Sequence, residues 1–208
     1  MNKYFESRYQ YDKSRKSIWK AICEYLQREI PNTSTIVELG AGYCDFINQI
    51  VANKKYALDS NPKVKNFCSN EVLFLNSEVT NIDIPNNTVD VVFASNLLEH
   101  LNDEEIDLLF IQLDRVLKKG GKLILLQPNY YYCYREYWDD YTHKKAFSHI
   151  SLSDLLISRK YVIKLVKKHF IPFSFKSSIP KSYFLTKIYL FLPWKPMAKQ
   201  MLIIAQKE

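Results

Sequence analysis

The sequence predicts an α/β fold built around a doubly wound, mostly parallel sheet. Short apolar runs rich in β-prone residues recur along the chain, and segments with helical spacing of apolar residues separate them. The 4 glycines fall at only two places, Gly40 with Gly42 and Gly120 with Gly121, and each pair adjoins a predicted strand. Strands that alternate with helices and tight turns are typical of a parallel sheet covered on both faces.

The individual elements follow from this patterning in chain order. One or two helices are expected before Pro31, which ends them. Predicted strands then occupy residues 36–39, 56–58, 72–75, 90–95, 122–127, 161–170 and 201–206. Predicted helices occupy residues 44–52, 61–68 and 103–117, and the apolar segment 183–192 has a helical option.

Length and composition limit the class of protein to which this chain can belong. A chain of 208 residues with 47% hydrophobic and 25% charged residues is typical of one globular domain. The 4 cysteines are scattered without a C-x-x-C pair, which favours reduced thiols in a cytoplasmic protein.

No apolar run reaches the roughly 20 residues of a membrane span, and the polar N-terminus does not resemble a signal peptide. The net charge of +7 suits acidic partners, but the basic residues are too dispersed to indicate nucleic acid.

The segment from Thr35 to Asp59 carries the clearest functional pattern. A strand ends at Gly40, where a glycine turn lets the backbone approach a ligand that a Cβ would hit. Asp59 ends the next strand, and its carboxylate can accept hydrogen bonds from the hydroxyls of a ribose. The third glycine of a dinucleotide site is absent and Asp45 would repel a pyrophosphate, whereas Glu38 could attract an ammonium group. S-adenosylmethionine therefore fits this segment better than a dinucleotide does.

Three segments resemble the motifs of the class I S-adenosylmethionine-dependent methyltransferases, in the order that the family has them. They are the ELGAG motif with the later Asp59, residues 78–100, and residues 113–127. The resemblance implies a Rossmann-like, seven-stranded sheet whose last strand is reversed. It also implies that the cofactor is bound by Tyr11, Glu38, Gly40, Gly42, Asp59, Ser60, Glu78, Val79 and Asn96. Glu78 stands where the family usually has Asp, and its expected partner is the adenine amino group.

Residues 129–150 are expected to form an ordered aromatic loop or lid over the substrate. Asp139, Asp140 and His143 lie close together in it, and a histidine with a carboxylate partner can act as a general base. His143, assisted by either aspartate, is therefore the predicted base, and His100 is a second candidate. Two other interpretations stay open, because the same three side chains could hold Mg²⁺ or Mn²⁺ or be purely structural. The prediction adopted is a site without a metal.

Residues 141–156 resemble a stretch of the small methyltransferases of polysaccharide and sugar-modification clusters. That resemblance implies O-methylation of a sugar or of a glycan-linked small acceptor. Lys160 and Tyr161 stand where this group usually has Gly and Phe, so the preceding helix lacks its glycine cap. Methylation of a natural product or a quinone-type lipid remains an alternative, as does a non-catalytic partner subunit that binds the cofactor.

The whole chain, residues 1–208, is predicted to be a single methyltransferase domain. Residues 1–31 would form a helical cover over the cofactor, and residues 171–199 would form an insertion before the last strand. The insertion could cover the substrate, form a dimer face, or contact a membrane as a short amphipathic element. The sequence thus predicts a cytoplasmic protein with peripheral membrane contact as one option, and it leaves the oligomeric state open.

Overall fold

The structure is a computed structural model that describes Asp12, residues 14–172 and residues 182–208. Its strands are β1 Thr35–Leu39, β2 Lys54–Asp59, β3 Val72–Asn76, β4 Val89–Ser95, β5 Leu117–Pro128, β6 Tyr161–Pro172 and β7 Ala198–Lys207. Its α-helices are α1 Ser14–Leu26, α2 Asp103–Val116, α3 Tyr130–Tyr137, α4 His149–Ser158 and α5 Tyr183–Phe191. Short 3₁₀ helices span Gln27–Glu29, Pro62–Phe67 and Leu98–His100.

The strands form one seven-stranded sheet in the order β3-β2-β1-β4-β5-β7-β6. Strands β1 to β5 pair in parallel with their neighbours. Strand β7 runs antiparallel to β5 on one side and to β6 on the other. The predicted α/β class and the reversed last strand are therefore confirmed. In an open sheet of this type, ligands bind outside the carboxyl ends of the parallel strands.

Alternating side chains of the sheet build a hydrophobic core on each of its two faces. On one face, Leu39 of β1 and Val92 of β4 pack with α2 and α4. On the other face, Ile36 and Phe93 pack with α1, with the segment after the glycine turn and with Leu190 of α5. Both faces of the sheet are thus covered, as the predicted doubly wound arrangement requires.

The segment after the glycine turn is not the regular helix predicted for residues 44–52. It is a series of turns in which some backbone groups make helix-type bonds, such as the Ile50 N–H to the Phe46 carbonyl at 3.0 Å. Cys44 has a left-handed conformation, with φ of 56°. The Ile47 N–H donates to the Glu38 carboxylate at 3.1 Å, so a buried side chain takes a donor that a helix would use. The helix prediction was wrong for this reason.

Residues 129–150 contain more regular structure than the predicted loop or lid. They include α3, which has a kink at Cys133, where φ is −122°. Tyr137 and Phe147 are core residues, whereas Tyr131 and Trp138 are exposed. The aromatic residues of this segment therefore divide between packing against the sheet and forming an outer surface, and a loop prediction misses the packed half.

Parts of two predicted regions lie outside the described residues. Tyr11, predicted to contact the cofactor, is in one of them, and residues 173–181 of the insertion are in the other. The described remainder of the insertion includes α5, whose Phe184 side chain is 67% exposed. Among residues 14–172 and 182–208, we find no helix with the length and apolar character needed to traverse a bilayer.

Phe93 of β4 should contribute strongly to stability. Its ring stacks on Phe46 with centroids 3.8 Å apart and meets Trp19 edge-on at 6.3 Å. We expect Phe93→Ala to lower the free energy of unfolding by about 3–5 kcal/mol, because it opens a cavity between the sheet and its cover. Urea unfolding followed by circular dichroism measures this change. Phe184→Ala is the matched control on the surface and should cost less than about 0.5 kcal/mol; equal effects would contradict the packing described.

Candidate functional site

The glycine turn after β1 has a backbone shape suited to close approach by a ligand. Gly40 and Gly42 have φ of 64° and 53°, in the left-handed region that favours glycine. A Cβ on Gly40 would lie 3.1 Å from Cδ1 of Leu97, so a larger residue would press on the loop after β4. The N–H groups of Gly40 and Ala41 donate to the Leu58 carbonyl at 2.9 and 3.2 Å. These bonds tie the turn to the end of β2.

Asp59 closes the glycine turn from the other side. Its carboxylate accepts hydrogen bonds from the Gly42 N–H at 3.0 Å and from the Asn61 N–H at 2.8 Å. Burial raises the pKa of Asp59, and these two backbone donors oppose that shift. The side chain is only partly buried, and each carboxylate oxygen has a further lone pair that a ribose hydroxyl can use. Asp59 therefore fits the ribose-binding role, which stays a prediction.

Asn76, at the end of β3, supports the same corner of the site. Its side-chain amide donates to the carbonyls of Asp59 and Ser60, each at 3.0 Å. Ser60, a predicted cofactor residue, is exposed at this corner. Sequence reasoning did not select Asn76, although a polar residue at the carboxyl end of a parallel strand is a usable signal.

Glu38 lies beneath the glycine turn and is 5% exposed. Besides accepting the Ile47 N–H, it lies near two other acids, Asp45 and Asp59. Burial raises the pKa of Glu38 well above its usual range, and both neighbouring acids act in the same direction. These contacts make Glu38 a support for the turn. Its attraction to the ammonium group of the cofactor stays a prediction.

Asn96 follows β4 at the same edge of the sheet. Its φ of 49° is a left-handed conformation that Asn tolerates better than most residues, and its N–H donates to the Leu126 carbonyl at 2.9 Å. The side-chain Oδ1 is buried and accepts no hydrogen bond from any described residue. Because a buried acceptor without a donor is costly, an ammonium group of the cofactor would stabilise this arrangement. Asn96 thus fits the cofactor that the sequence predicts.

The remaining cofactor candidates have less informative surroundings. Glu78 is exposed after β3, and its carbonyl accepts the Asn81 N–H at 3.0 Å in a turn. Val79 is buried and packs in the core on the α2 side of the sheet. Contacts of these two residues with the adenine stay predictions, and Tyr11 lies outside the described residues.

Just beyond Asn96, the structure brings together Glu99, His100 and His143. Glu99 and His100 belong to the 3₁₀ helix that follows β4. The N–H groups of Lys144 and Lys145 donate to the Glu99 carbonyl at 2.7 and 3.2 Å. These backbone bonds hold His143 beside the strand end, across a long stretch of sequence.

The side chains of this cluster are close enough to interact. The rings of His100 and His143 have centroids 5.0 Å apart, and the ring of Tyr137 lies 4.5 Å from that of His143. Burial raises the pKa of Glu99 to about 8. Burial, and then the neighbouring His143, lower the pKa of His100. The cluster therefore contains basic nitrogens and a buried acid next to the cofactor edge of the sheet.

Thr142 links Asp140 to this cluster. Its hydroxyl donates to Oδ1 of Asp140 at 2.7 Å and lies 3.0 Å from Nδ1 of His100. These hydrogen bonds connect an aspartate to His100, whereas the sequence predicted an aspartate as the partner of His143. Asp139 is exposed. The role of His143 as a base assisted by Asp139 or Asp140 stays a prediction.

Sequence reasoning did not select Glu99 or Thr142. Glu99 carried a weak signal, since it is an acid between a strand end and a histidine. Thr142 carried none, because its importance depends on the contact between the 98–100 and 142–145 segments. No local pattern in the sequence reports such a contact.

Substitution of Asp59 tests the cofactor half of the site. We expect Asp59→Ala to weaken binding of S-adenosylmethionine by about ten- to a hundredfold, because a hydrogen bond to a charged group contributes roughly 1.5–3 kcal/mol. Calorimetric titration of the cofactor measures the affinity, and thermal unfolding shows whether the turn has survived. Asp83→Ala, at an exposed loop position, is the control and should bind as the parent does. Unchanged affinity in a folded Asp59→Ala protein would remove the ribose assignment.

Sequence comparisons match part of the chain to a known domain. Residues 37–125 match the family model described as a methyltransferase domain. Phosphoethanolamine N-methyltransferase 1 of Triticum aestivum is 32% identical over 102 residues, which cover 44% of this chain and 20% of that protein. Phosphoethanolamine N-methyltransferase of Plasmodium falciparum is 22% identical over 139 residues, which cover 61% of this chain and 52% of that protein. The chain thus spans only about a fifth and about half of the lengths of these curated relatives.

Solved structures agree on the fold. A SAM-dependent methyltransferase from Archaeoglobus fulgidus matches with a TM-score of 0.66 at 19% identity, covering 91% of this chain and 94% of that one. A geranyl diphosphate methyltransferase in complex with S-adenosylmethionine (SAM) matches with a TM-score of 0.64 at 13% identity, covering 91% of this chain and 85% of that one. Residues 37–125 thus match a methyltransferase domain, and the described chain has the fold of S-adenosylmethionine-dependent methyltransferases.

Proposed function

We propose that this protein transfers a methyl group from S-adenosylmethionine to a small acceptor whose nucleophilic atom loses a proton in the reaction. The observation that carries the proposal is the cluster of Glu99, His100 and His143 directly beyond Asn96. Its imidazoles lie at the sheet edge that also holds the glycine turn, which supports a role in accepting a proton from the acceptor. His143 and His100 remain the candidates for removing the proton.

Other residues of the chain would bind the cofactor and orient the acceptor. Gly40 and Gly42 leave room for the cofactor to approach the backbone, and Asp59 and Asn96 offer acceptors for its hydroxyl and ammonium groups. When bound, the cofactor supplies an activated methyl group on its sulfonium. Holding the acceptor in line with that group lowers the barrier without a covalent intermediate on the protein. Residues 129–150 would cover the acceptor, and residues 1–31 the cofactor, within one domain.

A small phosphorylated amine is the acceptor that the available observations favour. Both curated relatives are described as phosphoethanolamine N-methyltransferases. The net charge of +7 suits a phosphorylated substrate. An ammonium group must lose a proton before its nitrogen can take a methyl group, and the histidine pair can accept that proton. The resemblance to sugar-modification enzymes finds no support in the comparisons.

A panel of acceptors tests this assignment. We expect the protein to move labelled methyl groups from S-adenosylmethionine to phosphoethanolamine, and more slowly to ethanolamine, because only the first carries a phosphate. Nucleotide-linked sugars and a quinol are the other acceptors in the panel. The Asp59→Ala variant is the control that shows whether methyl transfer depends on the proposed cofactor site. Methylation of sugar hydroxyls alone would overturn the amine assignment and favour the glycan acceptor expected from the sequence. Cofactor binding without turnover on any arm would favour a non-catalytic partner subunit.

We further propose that the protein is cytoplasmic and contacts an anionic membrane surface through α5 and the residues after it. Several large apolar side chains are exposed there, among them Phe184 at 67%, Ile188 at 44% and Trp194 at 76%. Exposed apolar residues on a short helix of a basic protein are typical of interfacial binding. The adjacent Lys187 adds a cation, although Glu24 pairs with it at 2.9 Å.

Vesicle sedimentation tests this surface. We expect the protein to sediment with vesicles that contain phosphatidylserine and to stay in solution with phosphatidylcholine alone, because its net charge favours an anionic surface. The double substitution Phe184→Ser and Ile188→Ser should abolish sedimentation. Leu108→Ser with Ile111→Ser is the matched control, since these side chains are also exposed but lie on α2, across the sheet. Loss of binding in both double variants, or in neither, would contradict the proposal.

A further inference from the structure

Glu99, His100 and His143 have the arrangement of a preformed metal site. Each offers one ligand atom, and these atoms lie within 4.8 Å of one another. The two imidazole rings meet at an interplanar angle of 64°, with their centroids 5.0 Å apart. A site of this kind gathers two nitrogens and a carboxylate oxygen around one point, which is a common ligand set for first-row divalent metals.

The carboxylate of Glu99 is a second, independent indication that this cluster can bind a cation. Glu99 is 2% exposed, and its Oε2 is buried without a hydrogen-bond donor among the described residues. Burying such an oxygen is costly whether the group is charged or neutral. A cation placed between this oxygen and the two imidazoles would offset that cost.

The hydrogen bonds around His100 fix which of its nitrogens can act as a ligand. The Thr142 hydroxyl has one proton, and it donates that proton to Asp140 at 2.7 Å. Nδ1 of His100 faces two acceptors, this hydroxyl at 3.0 Å and the Thr142 carbonyl at 3.3 Å, so Nδ1 must carry the ring proton. Nε2 then keeps its lone pair. Histidines that bind metals typically donate their other ring proton to an oxygen that is itself held by a carboxylate, as His100 does here through Thr142 and Asp140.

The backbone holds the three ligands in place before any metal arrives. Glu99 and His100 are adjacent in the 3₁₀ helix that follows β4. The segment that carries His143 is joined to Glu99 by the hydrogen bonds of Lys144 and Lys145. Little ordering is therefore needed on binding, so the full interaction is available for affinity.

We propose that Glu99, His100 and His143 bind one divalent transition-metal ion, with its open positions toward the acceptor. The two imidazoles favour Mn²⁺, Fe²⁺, Co²⁺ or Zn²⁺ over Mg²⁺, which prefers oxygen ligands. This site differs from the metal alternative considered for the sequence, which used Asp139 and Asp140. The acceptor's role rests on the proposed methyl transfer: its phosphate or hydroxyl oxygen would take an open position and be held close to the cofactor edge. An imidazole nitrogen that binds the metal cannot also accept the acceptor's proton, so metal binding and proton removal by these histidines are alternative roles of the cluster, and the chelation experiment below separates them.

Co²⁺ is the probe for the metal site itself, because its visible spectrum reports the ligands. We expect the full chain, stripped with chelator, to take up about one Co²⁺ per molecule and to lose it to Zn²⁺. Glu99→Gln and His143→Asn should abolish the spectrum. Thr142→Val should weaken binding by about 10–100-fold, because it removes only the support of His100. His169→Asn is the control histidine outside the cluster and should leave the spectrum unchanged.

The outcomes separate this inference from the proposed function. Absence of Co²⁺ uptake, or equal uptake by Glu99→Gln, would overturn the metal site even if methyl transfer is observed. Loss of the spectrum in His169→Asn would place the metal elsewhere and would also overturn it. For the acceptor's role, we expect chelation to stop methyl transfer and Mn²⁺ to restore it, while calorimetric binding of S-adenosylmethionine persists. Methyl transfer that continues after complete chelation would contradict the proposal that the acceptor binds to the metal.

Discussion

The parallel pairing of β1 with β2 and with β4 is the constraint on which the site depends. In this register Leu39 lies opposite Leu58 of β2 and Ala94 of β4, so three strands end at one edge. Asp59 and Asn96 then flank the glycine turn, and local hydrogen bonds from Gly42 to Asp59 and from Asn96 to Leu126 refine their positions. Because β1 is buried on both faces, the sheet holds this geometry through its hydrogen bonds and its packing together. A ligand that binds at this edge would therefore contact polar groups that are held in place by the ends of rigid strands.

Polar groups that would destabilise an ordinary core are concentrated at this edge. Glu38 and Glu99 are buried acids, and the side chains of Asn96 and Gln127 each have a buried polar atom without a hydrogen bond from the described residues. Each such group costs free energy in the unliganded protein. A ligand that binds only the folded state offsets part of this cost by mass action. Local violations of packing rules are expected where function is located, and here they follow the carboxyl ends of the strands.

The fold was predictable wherever neighbouring residues decide the outcome. Helix α2 begins where the sequence indicates, because Asn102 accepts from the Glu105 N–H at 2.9 Å and Glu105 accepts from the Asn102 N–H at 2.7 Å. Residues 44–52 were not predictable in this way. Phe46 and Ile50 are buried as their spacing indicates. The backbone nevertheless departs from a regular helix, because the Ile47 N–H donates to the buried Glu38 carboxylate. Periodicity identified the buried side chains and could not report that competing hydrogen bond.

The two halves of the site differ in how the sequence encodes them. The proposed cofactor half lies on one continuous strand-turn-strand unit, so the positions of Gly40 and Asp59 could be inferred from their order in the chain. The proposed acceptor half depends on the hydrogen bonds that bring residues 142–145 to the 98–100 helix, and no local sequence pattern reports these bonds. Under the proposed function, changes within residues 129–150 would therefore alter the acceptor without disturbing the glycine turn. The methyltransferase domain match ends at residue 125. It therefore supports the identity of the methyl donor much more strongly than it supports the identity of the acceptor.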